Sequence, residues 1–168
     1  MSEHHESPNE PLAVIGHIHT PFKDFDKLPI QGTANDARGT IALLPAYQEG
    51  LADLEGFDRV WLIFLNRPPR RPQMKIIPRL DEKPRGVFAT RSPYHPNPIG
   101  ITCVRLLSMS GCTLQVSGVD MLDDTELLDI KPYVPRYDSY PEAWAGWLES
   151  RIPPERGWHE QKKHRPTQ

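Results

Sequence analysis

Proline sets the first limit on this chain. Nineteen of its 168 residues are proline, about twice the usual ~5%. A proline inside a helix removes a backbone hydrogen bond and clashes with the preceding turn. The prolines are spread so widely that uninterrupted helical patterns of the length a crossover helix needs are nearly absent. A helical bundle is therefore ruled out, and a long series of parallel strand–helix–strand units is disfavoured. Apolar residues make up 38% of the chain and charged residues 25%, enough to build a core in a single domain.

Short strand patterns separated by turn residues remain. The chain predicts strands over 12–20, Gly39–Leu44, Val60–Leu65, Lys75–Ile77, Gly86–Ala89, Ile99–Ser108, Thr113–Asp120 and Leu127–Ile130. Val60–Leu65 is a continuous apolar run, the mark of a strand buried on both faces. Ser110-Gly111 reads as a hairpin turn. Two short helices are expected, Ala46–Leu54 and Pro141–Leu148, the second packing Trp144 and Trp147 on the body. The fold class that follows is all-β: a compact barrel with short peripheral helices. Residues 1–11 read as a disordered leader, 12–142 as the barrel domain, and 143–168 as a C-terminal helix and tail.

Charge is close to balanced overall, at −2, but unevenly placed. Residues 67–91 carry Arg67, Arg70, Arg71, Lys75, Arg79, Lys83, Arg85 and Arg91 against Asp81 and Glu82, a net +6. Residues 120–142 carry a net −5. The basic stretch is either a solvated loop or a surface that tracks phosphates. Two cysteines, Cys103 and Cys112, make neither a disulfide framework nor a four-ligand zinc site. The polar start lacks the apolar stretch of a secretory signal, and no run approaches a membrane span. A soluble cytoplasmic protein is the expectation.

Two stretches carry the chemistry. In Phe88–Gly100 (FATRSPYHPNPIG), three closely spaced prolines stiffen a turn that holds Arg91, Ser92, His95 and Asn97. Polar groups on a rigid turn are cheap to preorganise for a ligand, and Gly100 permits a close approach by another group. In Asp120–Tyr133, Asp120, Asp123 and Asp129 flank a strand, where carboxylates accept from hydroxyls, amines or backbone N–H groups. Their spacing is not that of a calcium loop. His17 and His19 lie on one side of a strand, but no further ligands appear at defined spacing, so no metal is expected. Glycine-rich dinucleotide and phosphate loops, the nucleophile elbow and Cys-x-x-Cys are all missing.

Taken together, these stretches resemble the TsaA-like family, which includes the TrmO tRNA methyltransferases. The marks are Ile15-Gly16, Thr20-Pro21-Phe22, Trp61–Phe64, Gly86–Pro93, Pro96–Gly100 and Asp129–Tyr133. The resemblance implies a homodimeric β-barrel that uses S-adenosylmethionine to methylate N6 of a threonylcarbamoyl-adenosine beside the anticodon in a tRNA anticodon arm. It implies cofactor roles for Arg91 and Ile101, and for Gln31 and the Asp120–Thr125 segment, with Asp120, Asp123 and Thr125 the residues named. Arg67, Arg70, Arg71, Asn97, Lys131 and Tyr133 are the expected RNA contacts. Asp120, Asp123 or His95 would remove the proton.

The chain departs from the family pattern at three points. His95 stands where an arginine is usual before Pro-Asn-Pro, replacing a fixed cation with a titratable group. Asp124 stands where glycine is usual, putting a left-handed backbone conformation on an aspartate. The chain also ends soon after the barrel, where larger bacterial relatives carry a further domain that helps hold tRNA. A second function class remains open at this level: a module that binds S-adenosylmethionine or a nucleotide without turnover.

Overall fold

The computed structural model describes residues 11–30, 36–66 and 70–151. These contain eight strands: β1 (Gly16–His19), β2 (Arg38–Leu43), β3 (Arg59–Leu65), β4 (Lys75–Ile76), β5 (Arg85–Gly86), β6 (Ile99–Ser110), β7 (Thr113–Ser117) and β8 (Thr125–Pro132). Six close into a barrel in the order β1-β2-β7-β6-β3-β8, while β4 and β5 form a separate ribbon. Every pairing is antiparallel. The all-β expectation holds.

Alternation along the strands builds the core. Ile18, Ile41, Val60, Leu62, Val104, Leu114, Val116 and Leu127 are all fully buried. Burying an aliphatic side chain of this kind stabilises by roughly 1.5–3 kcal/mol. The interior of so narrow a barrel is filled by these side chains. One expectation fails at β3. Only Val60, Leu62 and Phe64 point inward, and Trp61, Ile63 and Leu65 are half-buried on the outer wall. The apolar run therefore serves two surfaces: a core and an outer wall.

Local structure outside the barrel departs from several sequence expectations. Residues 46–54 form tight three-residue-per-turn helix, Pro45–Leu51 then Leu54–Gly56, in place of one α-helix. Gly86–Ala89 is not a strand: β5 ends at Gly86, and Val87–Ala89 is a single tight turn. The C-terminal helix is reduced to Gly146–Ser150. A short α-helix, α1 (Pro135–Asp138), stands ahead of it with proline at its start. Trp147 does pack on the body, but Trp144 is 49% exposed. These pieces are too short to carry a periodic signal, and tertiary contacts decide them.

Connectivity decides where function can sit. Neighbouring barrel strands run in opposite directions, so the last residues of β1, β3 and β7 and the first of β2, β6 and β8 share one end. The segments 20–37, 66–98 and 118–124 all emerge there. At the other end β6 and β7 meet in a tight hairpin, where Gly111 takes φ +56°.

Gly100 is fixed by packing. A methyl group there would lie 2.2 Å from the ring of Phe64, which is buried in the core. Overpacking of this kind costs roughly 1–3 kcal/mol. Gly100→Ala is expected to lower the urea midpoint without changing the slope, and an unchanged midpoint would show that the ring moves aside freely.

Candidate ligand site at one end of the barrel

The candidate residues are held by two of the connections and by the strands beneath them. The Thr90–Pro98 turn closes on itself. Thr90 Oγ1 donates to Val87 O at 2.8 Å, and the Ser92 N–H donates to Thr90 Oγ1 at 3.4 Å. His95 Nε2 lies 3.1 Å from Thr90 O. A carbonyl only accepts, so Nε2 carries the hydrogen, and in neutral His95 the lone pair is on Nδ1. The His95 ring also meets Phe88 edge-on at 5.7 Å. The turn is tied to the preceding loop by Asn66 N–H to Pro98 O at 2.6 Å and Gln73 N–H to Tyr94 O at 3.0 Å. Arg91 and Asn97 are exposed on this scaffold. Ser92 Oγ is buried with no hydrogen-bond partner among the described residues. An orphaned buried hydroxyl costs free energy unless a ligand completes it.

The 118–124 segment supplies the carboxylates. Asp120 Oδ1 accepts from Thr102 Oγ1 on β6 at 2.5 Å. Asp123 accepts from the Thr20 N–H at 2.9 Å and from Lys23 Nζ. His19 Nδ1 stands 3.6 Å from it. The Lys23 ammonium, followed by the Thr20 N–H, holds the Asp123 carboxyl below the usual carboxylate range. A carboxylate held down in this way is a weak base, which argues against Asp123 as a proton acceptor. Asp124 adopts φ +61°, the left-handed conformation that the family resemblance implied for it. Its Oδ1 lies 3.0 Å from His17 Nδ1, at ion-pair distance but outside hydrogen-bond geometry. Thr125 is buried and donates to Leu122 O at 2.6 Å, so its hydroxyl shapes the loop.

Ile101 sits on the outer wall, 48% exposed, opposite Ile63 on β3. Arg91, Ser92, His95, Asn97, Ile101, Asp120, Asp123 and Thr125 thus all belong to this end of the barrel. Lys131 and Tyr133 do not. Lys131 pairs across the sheet with Trp61 and bridges to Asp129 at 2.8 Å. The Tyr133 N–H bonds Arg59 O, and its ring meets Trp61 at 5.7 Å. At about 3.3 Å per residue along β3, they lie roughly 10–20 Å below the site. Gln31 and Arg67 fall outside the described residues.

The basic segment proves to be partly structural. Arg70 stacks over Phe25 at 4.3 Å and donates to Tyr94 Oη at 3.2 Å. Arg79 donates to the carbonyls of Leu28 and Phe25 at 2.9 and 3.0 Å. Arg85 grips Asp81 through Nε and Nη2 at 2.8 and 2.6 Å. Arg71, Lys75 and Lys83 are exposed.

Sequence reasoning missed the tie that steadies this ribbon. Asp81 has no accessible side-chain surface, and it also accepts from Arg151 Nη2 at 2.9 Å. Trp147 Nε1–H donates to Ala89 O at 2.8 Å, with Arg85 over its ring at 5.2 Å. The C-terminal segment therefore runs from the far end of the barrel back to the ribbon that carries Arg91. No local pattern joins residues 70 apart; only the lone Asp81-Glu82 within a basic run hinted at a partner. Among the described residues, no group of three or more His, Cys, Asp or Glu is arranged to hold a metal ion. No helix there is long and apolar enough to cross a membrane.

A filled barrel with an arginine, carboxylates and an orphaned hydroxyl gathered at one rim has its candidate ligand site in its end loops. The chain belongs to the tRNA-methyltransferase O N-terminal domain family, whose model matches residues 17–139. A Pyrococcus abyssi protein named a probable S-adenosyl-L-methionine-binding protein is 45% identical over 139 residues, covering 82% of this chain and 76% of that one. The Escherichia coli tRNA (adenine(37)-N6)-methyltransferase is 36% identical over 152 residues, covering 81% of this chain and 63% of the enzyme. The crystal structure of TrmO from Pseudomonas aeruginosa matches with TM-score 0.73 and 37% identity, over 89% of this chain and 66% of that one. The chain thus spans under two thirds of these two longer relatives.

The Asp81 tie has a pH signature. The Arg85 bonds, outweighing burial, hold the Asp81 carboxyl below its ordinary 3.8. A carboxyl lowered by folding adds stability that is full above the unfolded value and lost as pH falls through the folded one. Asp81→Asn is therefore expected to lower the melting temperature by a constant amount above pH 3.8, with the gap narrowing below it. A gap that stays constant into acid would disprove the tie.

Proposed function

We propose that this protein is a cytoplasmic S-adenosylmethionine-dependent tRNA methyltransferase, acting on N6 of a threonylcarbamoyl-adenosine beside the anticodon. The observation that carries the reading is the convergence of Arg91, Ser92, His95, Asn97 and the Asp120–Thr125 segment at one rim of a barrel of the TrmO N-terminal family. The relatives named as tRNA (adenine(37)-N6)-methyltransferases support the reaction class.

The residues at the rim suit this cofactor. Arg91 offers a planar, two-pronged donor for its carboxylate. Asp120 suits its ammonium or ribose hydroxyls, the half-exposed Ile101 its apolar surface, and the buried Ser92 hydroxyl a polar atom. When bound, S-adenosylmethionine supplies a methyl group on a sulfonium that is already a good electrophile. The work left to this chain is to align the attacking nitrogen, exclude water and take up one proton. With Asp123 engaged by Lys23, His95 Nδ1 and Asp120 are the candidate acceptors. Asn97, exposed beside His95 on the stiff turn, is the proposed RNA contact.

The protein is proposed to work as a homodimer through its apolar outer wall, where Ile99 and Ile101 are 45% and 48% exposed and Ile63 and Leu65 lie alongside. An apolar wall of this kind marks an interaction surface. Light scattering is expected to give twice the 19.2 kDa chain mass; a stable monomer at micromolar concentration would end this proposal.

A second reading is a binding module without turnover, favoured by relatives named only for binding S-adenosylmethionine. Mass analysis of tRNA nucleosides after incubation with protein and cofactor separates the two: a methylated threonylcarbamoyl-adenosine supports the enzyme, and binding with no methylated nucleoside supports the module. In the same preparation Arg91→Ala is expected to weaken cofactor binding by about 2–4 kcal/mol, with Arg91→Lys recovering part. A folded Arg91→Ala that binds as tightly as the parent would remove Arg91 from the site.

A further inference from the structure

The outer wall of the barrel has two chemically different sides. On β3 and β6 it is apolar. On β1, β2 and β7 it is polar, and one cross-strand row places His19, Thr40 and Gln115 side by side. A shallow concavity of about 280 Å³ opens over this row, lined by His19, Thr20, Pro21, Arg38, Gly39, Thr40 and Gln115. None of these lining residues carries a carboxylate. Small-molecule pockets usually enclose about 300–1,000 Å³, so an open concavity at the lower edge of that range suits one unit of an extended strand.

Arg38 distinguishes this groove. Arg70, Arg79, Arg85 and Arg151 are all engaged with rings, carbonyls or Asp81. Arg38 is exposed and makes no side-chain hydrogen bond or ion pair with any described residue. Gln115 Oε1 accepts from Thr40 Oγ1 at 3.1 Å, which turns its amide hydrogens away from Thr40. His19 contributes a ring 48% exposed. Its one acidic neighbour, Asp123, is already offset by Lys23 and the Thr20 N–H. Arginine, histidine and glutamine side chains converging where the one neighbouring carboxylate found among the described residues is already engaged are a donor set for an anion, and such contacts to phosphate oxygens fix register on a nucleic acid without reading sequence.

We propose that this groove binds a phosphodiester of the RNA strand that delivers its base to the barrel rim. The proposal rests on the tRNA reading above for the identity of the strand. Its geometric support is independent: the row lies at the C-terminal end of β1 and the N-terminal end of β2, and His19 touches the Asp123 segment that forms part of the rim. A phosphate held over Arg38 is therefore next to the candidate site. This surface is separate from the basic segment 67–91, three of whose five described arginines are used in packing.

The test compares the parent chain, Arg38→Gln and Arg38→Glu in three measurements: binding of bulk tRNA against salt, binding of a short single-stranded oligoribonucleotide followed by NMR, and calorimetric binding of S-adenosylmethionine. Arg38→Glu is expected to weaken tRNA binding roughly tenfold, and Arg38→Gln to reduce the slope of log K against log salt by about 1. Cofactor affinity and melting temperature should stay at parental values, and the Gln115 side-chain amide should shift on adding the oligoribonucleotide but not on adding inorganic phosphate at equal concentration. Unchanged tRNA affinity and salt slope in both variants, in a parent that methylates tRNA, would overturn the groove and leave the methyltransferase reading standing. A parent that transfers no methyl group to tRNA would overturn that reading, and the oligoribonucleotide arm still decides the groove: a Gln115 shift lost in Arg38→Glu upholds it, and no shift in the parent refutes it.

Discussion

Strand β8 is the closing stave of the barrel. It pairs with β1 on one side, Gly16 to Leu127 through Ile18 to Thr125, and with β3 on the other, Val60 to Pro132 through Phe64 to Leu127. Without it the remaining five strands form an open sheet with two unpaired edges. The register slips between Ile63 and Phe64, a local irregularity that bends the strand at the rim. Closure also fixes the placement of the site, because the segment before β8 must cross the barrel end to reach it. That crossing is the 118–124 connection. It carries Asp120 to Thr102 and Asp123 to Thr20 and Lys23, so the bonds that close the fold also position the carboxylates.

A second constraint acts on the periphery. The β4–β5 ribbon is two residues per strand and cannot be stable alone. It is held from both flanks, by Arg70 and Arg79 on the 25–28 turn and by Arg85, Trp147 and Arg151 around Asp81. Arginine suits these positions because its planar fork can serve a carboxylate, a pair of carbonyls or an aromatic face, which a lysine ammonium cannot match. The net +6 of residues 67–91 is therefore misleading when read as a surface property alone. Part of that charge is the internal bonding of a segment too short and too rich in proline to hold itself together by backbone pairing. The rigidity of the Arg91 turn is inherited from it.

Much of the barrel was legible because alternation and turn residues are local. The hairpin at Gly111 and the register-bearing strands around it could be read from neighbouring residues, while the left-handed Asp124 followed only from the family resemblance, in which glycine is usual there. The single-sidedness of β3 could not, because Trp61, Ile63 and Leu65 are apolar for the sake of the outer wall, and a run of apolar residues looks the same whether it faces one core or two partners. The candidate site was half legible. Its rigid turn and its acidic segment stood out, but Lys23, Thr102, Trp147 and Arg151 join them only through contacts far apart in sequence. Lys131 and Tyr133 lie in a conspicuous motif, yet antiparallel pairing carries them down β3 and away from the rim.

The two sides of the outer wall then give the barrel a direction. An apolar side on β3 and β6 and a polar groove on β1, β2 and β7 lie on opposite arcs of the same closed sheet, separated on one side by β8. If the apolar arc is covered by a second copy, the polar arc faces solution in each copy, and the rim loops stand between them. On the proposed reading, a strand of RNA approaching from the polar side meets Arg38 and His19 before it meets the rim, and its phosphates are held where no buried charge must be desolvated. The base that reaches the rim meets a stiff turn whose polar groups are already placed. On the proposed reading, division of the wall into an associating arc and a phosphate-holding arc lets a barrel filled by its own side chains present its chemistry at one edge.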